Sequence, residues 1–186
     1  MHQQLVNDTL KCRGALADYL LIFKKKGENE TPVVKPYGLT EYAGDLELMN
    51  KEELFEYENL KKKFSDSEWT DDKTNRLSQF IWRRYASSAW EDIRANVALC
   101  YKPARDKEDD RHVCPLQLDI ITRSVILYTN PSEIVMTPFM GVGSEVFASI
   151  QEDRKALGIE LKESYFNQAV KNLKTISDQP QQETLF

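Results

Sequence analysis

Residues 134–144, IVMTPFMGVGS, and residues 157–161, LGIEL, decide the fold of this chain. Each segment contains a short apolar run, and the first continues into a turn with glycine at positions 141 and 143. The elements predicted here are a buried strand over Glu133–Thr137, a helix over Ser144–Glu152, a strand over Ala156–Glu160 and a closing helix over Ser164–Ile176. This order predicts a right-handed parallel unit of an α/β sheet.

The glycine turn and the acidic strand end together suggest a ligand site. Glycine at 141 and 143 lets the backbone approach a bound molecule because no Cβ is in the way. Glu160 ends the second predicted strand, 17 residues after Gly143. A carboxylate there can accept hydrogen bonds from two ribose hydroxyls. A G-x-G pair alone is also typical of a tight turn, but this combination favours a nucleoside-bearing cofactor.

The residues around the turn narrow the cofactor class. The chain has no G-x-x-x-x-G-K-[S/T] segment, which excludes a phosphate-cradling P-loop. Val146 stands where a dinucleotide site usually has a small residue that lets the helix pack against the pyrophosphate. Pro138 and Phe139 suit an aromatic wall better than a phosphate cup. The pattern favours a phosphate-free nucleoside such as S-adenosyl-L-methionine.

The rest of the chain reads as a strand followed by helices and loops. The apolar run Tyr19–Phe23, closed by three lysines and Gly27, predicts a buried strand. Further along the chain we predict a loop over 27–44, one or two exposed helices over 45–64, a charged loop over 101–112, an amphipathic helix after Pro115, a turn at 130–132 and a disordered tail over 177–186.

A basic, aromatic-rich stretch lies between Asp72 and Glu91, where no acidic residue occurs. Basic side chains beside aromatic rings suit phosphate contact and base stacking. The candidate DNA-binding residues are Lys73, Arg76, Arg83, Arg84, Trp82 and Trp90. An equally weighted alternative is that the aromatic rings belong to the core and the arginines form a solvated face.

Composition bounds the remaining function classes. The 186 residues carry 25 Lys+Arg and 30 Asp+Glu, a net charge of −5, which argues against bulk binding to nucleic acid unless positive charge is gathered locally. The three cysteines lack the spacing of a disulfide framework or a metal-binding motif, and the two histidines are far apart in the sequence, so we predict neither a disulfide framework nor a metal site. No apolar run approaches the ~18 residues of a membrane helix, so we expect a cytoplasmic protein without a membrane partner.

Three motifs resemble the DNA amino-methyltransferases, which modify adenine N6 or cytosine N4. Residues 112–117, HVCPLQ, are similar to the family's H-P-x-Q-K-P-like entry to the helix before the cofactor strand. Residues 138–144, PFMGVGS, resemble its D-P-F-x-G-S-G-T turn. Gly158-Ile-Glu160 with Tyr165 and Ala169 resembles the G-I-E-x-x-x-x-Y-x-x-x-A segment that closes the motif. The order matches members in which the cofactor motif comes last, and residues 8–24 and 90–93 look like phage-type members, some of which serve restriction-modification.

The resemblance implies a partial Rossmann-like methyltransferase sheet with an inserted helical and loop recognition region. The chain would be a single domain over 1–186, with a target-recognition-like region over 27–111 and a cofactor-binding βαβα part over 112–176. The residues implied to hold S-adenosyl-L-methionine are Gln117, Thr137, Pro138, Phe139, Gly141, Gly143, Ser144, Glu160 and Leu161. Thr137 stands where many members have Asp, which alters a polar contact near the methionine part. Double-stranded DNA is the implied partner.

The catalytic motif of the resembling family is missing. That motif is Asp, Asn or Ser followed by Pro-Pro and an aromatic residue, and the chain contains no Pro-Pro pair. The nearest match, residues 130–133, NPSE, lies in the turn before the cofactor strand. We expect the C-terminal portion of a site-specific methyltransferase, inactive alone; Met1 is then an internal start, or the catalytic half lies on another polypeptide. The alternative is a non-catalytic cofactor- and DNA-binding remnant or subunit.

Residues 182–186, QETLF, also resemble sliding-clamp docking peptides, although a frayed terminus is the simpler interpretation.

Overall fold

The computed structural model describes residues 6, 19–35, 38–40, 44, 46–65, 76–105 and 115–177. By contacts the chain divides into two compact units, Met1–Pro32 and Val33–Phe186. Of the predicted tail over 177–186, residues 178–186 lie outside the described residues, as do Lys73, His112 and Cys114, whereas Ser177 ends a helix. No helix in the described part of the chain is long and apolar enough to cross a membrane.

In the first unit, the strand predicted at Tyr19–Phe23 is wrong. The described residues of this unit, apart from position 6, form no helix or strand. The apolar side chains of the run are exposed, from 49% at Leu20 to 86% at Phe23. A strand needs a hydrogen-bonded neighbour, and no described strand pairs with this segment. The apolar run is therefore irregular and exposed to water.

The second unit contains five described helices and two strands. The helices are α1 (Lys51–Ser65), α2 (Arg76–Tyr85), α3 (Leu118–Tyr128), α4 (Ser144–Gln151) and α5 (Glu163–Ser177), the strands are β1 (Ile134–Thr137) and β2 (Lys155–Gly158), and two 3₁₀ turns cover Leu46–Leu48 and Lys102–Ala104. The helix predicted after Pro115 and the strands and helices predicted over 133–176 are confirmed within one or two residues at most bounds. The predicted helices over 45–64 are confirmed as the first 3₁₀ turn and α1.

The sheet is parallel, which confirms the predicted α/β class. β1 and β2 pair in register from Ile134 with Lys155 to Thr137 with Gly158. Helix α4 connects them and packs on both strands. Among the described residues the sheet has these two strands, fewer than an open doubly wound sheet contains.

One face of this sheet is covered and the other is open. Val135 packs against α3 and α4, while its register partner Ala156 packs against the cluster of Met140, Val146 and Ala169. Side chains alternate along a strand, so their neighbours point the other way. Of these, Ile134, Met136 and Leu157 are 69%, 58% and 53% exposed. The prediction that β1 is a buried strand is therefore wrong, because the described helices cover one side of it.

A second core lies between α1, α2 and α3. Its buried members are Leu39, Met49, Tyr57, Leu77, Phe80, Ile81, Tyr85 and Ile126. Helix α2 supplies four of them from one face, while its remaining positions carry arginines and Trp82. This core holds the basic stretch against α3, whose opposite side supports the sheet.

Candidate functional site

The glycine turn joins β1 to α4 through two left-handed residues. Gly141 has φ +56° and Gly143 has φ +94°, conformations that favour glycine. The Gly143 N–H donates to the Met140 carbonyl at 2.9 Å, and the Phe147 N–H donates to the Gly143 carbonyl at 2.8 Å, starting α4. The turn therefore presents its backbone at the carboxyl ends of the strands, where open parallel sheets bind ligands.

Glu160 is hydrogen-bonded to this turn. The Gly141 N–H donates to Oε2 at 2.7 Å, and the Lys162 N–H donates to Oε1 at 2.8 Å. The backbone beside it is also joined, since the Met140 N–H donates to the Ile159 carbonyl at 2.8 Å. The structure thus brings the two halves of the predicted site together and fixes the carboxylate between them.

Open space and exposed apolar side chains border the carboxylate. A Cβ built at Gly141 would meet no atom within 4 Å, so the backbone there is accessible to a ligand. Phe139 is 86% exposed and Leu161 is 98% exposed, on the two segments that the Gly141–Glu160 bond joins. Large apolar side chains left open to water beside a polar anchor suit an aromatic ligand.

The other predicted cofactor residues are buried or peripheral. Thr137 ends β1, and its carbonyl accepts the Ile159 N–H at 3.0 Å. Both Thr137 and Ser144 are buried, whereas Pro138 is exposed. Gln117 immediately precedes α3, is half-buried, and its side chain does not cap that helix. The structure therefore relates Gln117 to the site indirectly, through the packing of α3 on α4.

The remaining glycines near the site serve packing. A Cβ at Gly143 would lie 3.2 Å from the Ala169 Cβ on α5. A Cβ at Gly158 would overlap the Met140 sulfur and lie 2.9 Å from Val146 Cγ2. Gly141 is thus the glycine whose missing side chain leaves space for a ligand.

Sequence patterns did not reveal two polar features of the site. Asn172 on α5, which is buried, donates from Nδ2 to the Val142 carbonyl at 2.9 Å. Glu145 lies in the first turn of α4, where its burial raises the pKa of its carboxyl above the ordinary value. No motif contains either residue; only the helical register of α5, with Asn172 three residues after Ala169, places Asn172 near the turn. Among the described residues, no group of His, Cys, Asp and Glu is suited to a metal ion.

The predicted DNA-binding residues divide into an exposed and an internal group. On α2, Arg76 and Trp82 are exposed, Trp82 by 54%. Arg83 is also exposed, and its guanidinium lies 3.7 Å from Glu56. These three side chains are available for contact with a nucleic acid.

Arg84 and Trp90 are engaged inside the protein. Arg84 contacts Asp92 at 3.3 Å and Glu53 at 3.4 Å. The Trp90 ring lies against the guanidinium of the fully buried Arg123, whose Cζ is 4.8 Å from the ring centroid. Arg123 itself donates to Asp92 at 2.9 Å. Arg84 and Trp90 both belong to this internal cluster. Their contacts there contribute to stability whether or not DNA is bound.

A model of the DNA methylase family, N6_N4_Mtase, matches residues 13–171, which is most of the chain. The chain belongs to this family. This confirms the resemblance that the turn and the acidic strand end suggest. The matched region of this chain begins before the Tyr19–Phe23 run and ends within α5.

Individual relatives are distant and match only part of the chain. The type II methyltransferase M.BglI of Bacillus subtilis is 30% identical over 120 residues, covering 64% of this chain and 31% of the relative. A crystal structure of the M1.HpyAVI–SAM complex is 33% identical, with 37% of this chain and 34% of that chain covered and a TM-score of 0.32. A structure of M1.HpyAVI is 32% identical, with 39% and 41% covered and a TM-score of 0.31. The chain therefore spans about a third of the length of the curated relative that it matches.

Proposed function

We propose that this chain binds S-adenosyl-L-methionine at the glycine turn and supplies the cofactor-binding part of a site-specific DNA methyltransferase acting on adenine N6 or cytosine N4. The observation that carries the proposal is the hydrogen bond between the Gly141 N–H and the Glu160 carboxylate. It fixes an acceptor beside Gly141, where a Cβ would meet open space.

The residues present fit this cofactor. A carboxylate has about four lone-pair sites, and two of those on Glu160 accept backbone N–H groups, which leaves two for ribose hydroxyls. Phe139 and Leu161 offer apolar surface to an adenine ring, and Gly141 leaves room for the rest of the molecule. When bound, the cofactor supplies a methyl group made electrophilic by its sulfonium.

Methyl transfer to an exocyclic amine requires an in-line approach in a dry pocket more than acid–base assistance. The target base must leave the duplex, stack, and donate its amine hydrogens to a polar side chain and a carbonyl. In the resembling family those contacts come from the Pro-Pro motif, which this sequence lacks. We therefore expect the chain to bind cofactor and to transfer little or no methyl alone.

Calorimetry of S-adenosyl-L-methionine binding tests the proposal. We expect wild-type affinity in the micromolar range, and a loss of about tenfold or more in Glu160→Ala, because two charge-assisted hydrogen bonds to the ribose are removed. Glu163→Ala is a matched control, since Glu163 is exposed in the first turn of α5. Wild-type heat equal to the buffer blank would overturn the proposal.

A second candidate function is a subunit that acts with another polypeptide. It is favoured by the open sheet face of Ile134, Met136 and Leu157, since a parallel sheet is normally covered on both faces. Incubation of the purified chain with labelled cofactor and unmethylated DNA tests the second candidate. Label transferred by the purified chain alone would exclude a non-catalytic subunit.

The proposed DNA contacts lie on the exposed side of α2, with Arg76, Trp82 and Arg83 as the described candidates. Acidic side chains close by offset part of this positive charge. Arg83 and Arg84 line an open cleft of about 930 Å³ together with Glu53, Glu56, Glu91 and Asp92. Lys73 and the clamp-like segment 182–186 lie outside the described residues and stay predictions.

A further inference from the structure

Two buried amides on α5 hold the middle of the glycine turn. Asn172 and Gln168 are each 7% exposed. Asn172 Nδ2 donates to the Val142 carbonyl at 2.9 Å, and Val142 lies between the two left-handed glycines. The backbone of two glycines has more accessible conformations than that of other residues, so an external contact is needed to keep one of them.

The second amide orients the first. Gln168 Nε2 donates to Asn172 Oδ1 at 2.9 Å. The oxygen and nitrogen of a carboxamide have nearly the same shape, so the group could face the turn with either end. Because Oδ1 accepts from Gln168, the Nδ2 hydrogens are directed at the carbonyl acceptors.

The same carboxamide also joins the turn to a distant part of the chain. Asn172 Nδ2 donates to the Cys100 carbonyl at 3.1 Å. Cys100 lies two residues before the 3₁₀ turn Lys102–Ala104, which packs on α5. One side chain therefore contacts both the cofactor turn and a segment near the end of the predicted recognition region.

We propose that Asn172 is a positioning residue for cofactor binding, with Gln168 as its orienting partner. Its hydrogen bond to the Val142 carbonyl holds Val142, and with it the Gly141 N–H and the Glu160 carboxylate, in the geometry that accepts the nucleoside. This inference rests on the proposed cofactor site and adds to it residues that touch neither the open space nor the carboxylate.

The test is calorimetry of S-adenosyl-L-methionine binding to the Asn172→Asp variant of the full chain. Aspartate has nearly the same shape but cannot donate, and its charge would face two carbonyl oxygens. We expect affinity to fall on the order of tenfold. Asn167→Asp is the matched control, because Asn167 is exposed on the same helix and should keep wild-type affinity.

Two further measurements keep the inference testable if Asn172→Asp folds poorly. Gln168→Met preserves the shape of the side chain and leaves Asn172 in place, and we expect a smaller loss of affinity, about two- to fivefold. Gln168→His should recover this affinity only if its imidazole donates a hydrogen bond to Asn172 Oδ1. In the wild type, nuclear magnetic resonance should show slow hydrogen exchange of the Asn172 carboxamide.

The outcomes separate this inference from the proposed function. Wild-type binding heat equal to the blank overturns the cofactor site and the inference together. Equal affinity of the wild type and a folded Asn172→Asp variant overturns the positioning role alone, as does a rapidly exchanging Asn172 carboxamide. Weakened binding in Asn172→Asp, with wild-type affinity in Asn167→Asp, supports the role.

Discussion

The Gly141 N–H donates to the Glu160 carboxylate at 2.7 Å, across 19 positions of the sequence. This bond joins the turn after β1 to the end of β2, so the carboxylate is held by the protein before a ligand arrives. An anchor fixed in advance loses little conformational freedom on binding, which improves affinity.

Gly141→Ala should reduce cofactor affinity and lower stability modestly. A left-handed alanine costs about 1–2 kcal/mol, and the new methyl group would enter space that no protein atom occupies within 4 Å. We expect about a tenfold loss of S-adenosyl-L-methionine affinity in calorimetry and a modest fall in the unfolding midpoint.

The matched substitution Gly158→Ala should show the reverse pattern. Its Cβ would overlap Met140 and approach Val146, so we expect the free energy of unfolding to fall by about 1–3 kcal/mol. Cofactor affinity of the folded protein should change less than in Gly141→Ala. Tighter binding by Gly141→Ala than by Gly158→Ala would contradict the assignment of the open space.

The sequence predicted the βαβα part well because its signals are local. Apolar runs, a glycine turn and an acidic strand end fix β1, α4 and β2 within a few residues, and the parallel pairing follows from their order. The same reasoning failed at Tyr19–Phe23, since a strand depends on a partner that no local pattern reveals. It also missed Asn172, because its partners Val142 and Cys100 lie 30 and 72 residues away.

Asp119→Asn should destabilise the protein at neutral pH. Asp119 accepts the Arg94 backbone N–H at 2.9 Å and its guanidinium at 2.6 and 2.9 Å. Burial raises the pKa of Asp119, but the bonds from Arg94 outweigh it, so the pKa lies below its ordinary value. We expect the free energy of unfolding at pH 7 to fall by about 2 kcal/mol, measured by urea denaturation.

The pH dependence of Asp119 follows from the lowered pKa. The stabilisation is fully present above the ordinary aspartate pKa of about 3.9 and is lost as pH falls through the lower folded value. The difference between wild type and Asp119→Asn should therefore shrink below about pH 4. Asp153→Asn is a control, because Asp153 is exposed and its φ of +59° suits asparagine. A difference that does not change with pH would contradict this account.

Glu145→Gln should stabilise the protein at neutral pH. Burial raises the pKa of Glu145, so the folded state holds this proton more tightly than the unfolded state does. Wild-type stability consequently falls as pH rises from about 4.3 through the raised value. We expect a gain of about 0.5–1 kcal/mol at pH 7 that disappears in acid. Glu163→Gln, in the exposed first turn of α5, should show no such gain.

Arg83→Ala and Arg84→Ala should separate DNA contact from stability. Arg83 is exposed and its pair with Glu56 spans 3.7 Å, so its removal should change the free energy of unfolding by less than about 1 kcal/mol. It should weaken binding to labelled double-stranded DNA and reduce the slope of log affinity against log salt by about 0.9 per lost phosphate contact.

Arg84 contacts Asp92 and Glu53, so its removal should lower stability by about 1–2 kcal/mol and leave the salt slope unchanged. Fluorescence anisotropy between about 50 and 200 mM salt measures both slopes. An Arg83→Ala slope equal to that of the wild type would exclude Arg83 from the DNA surface.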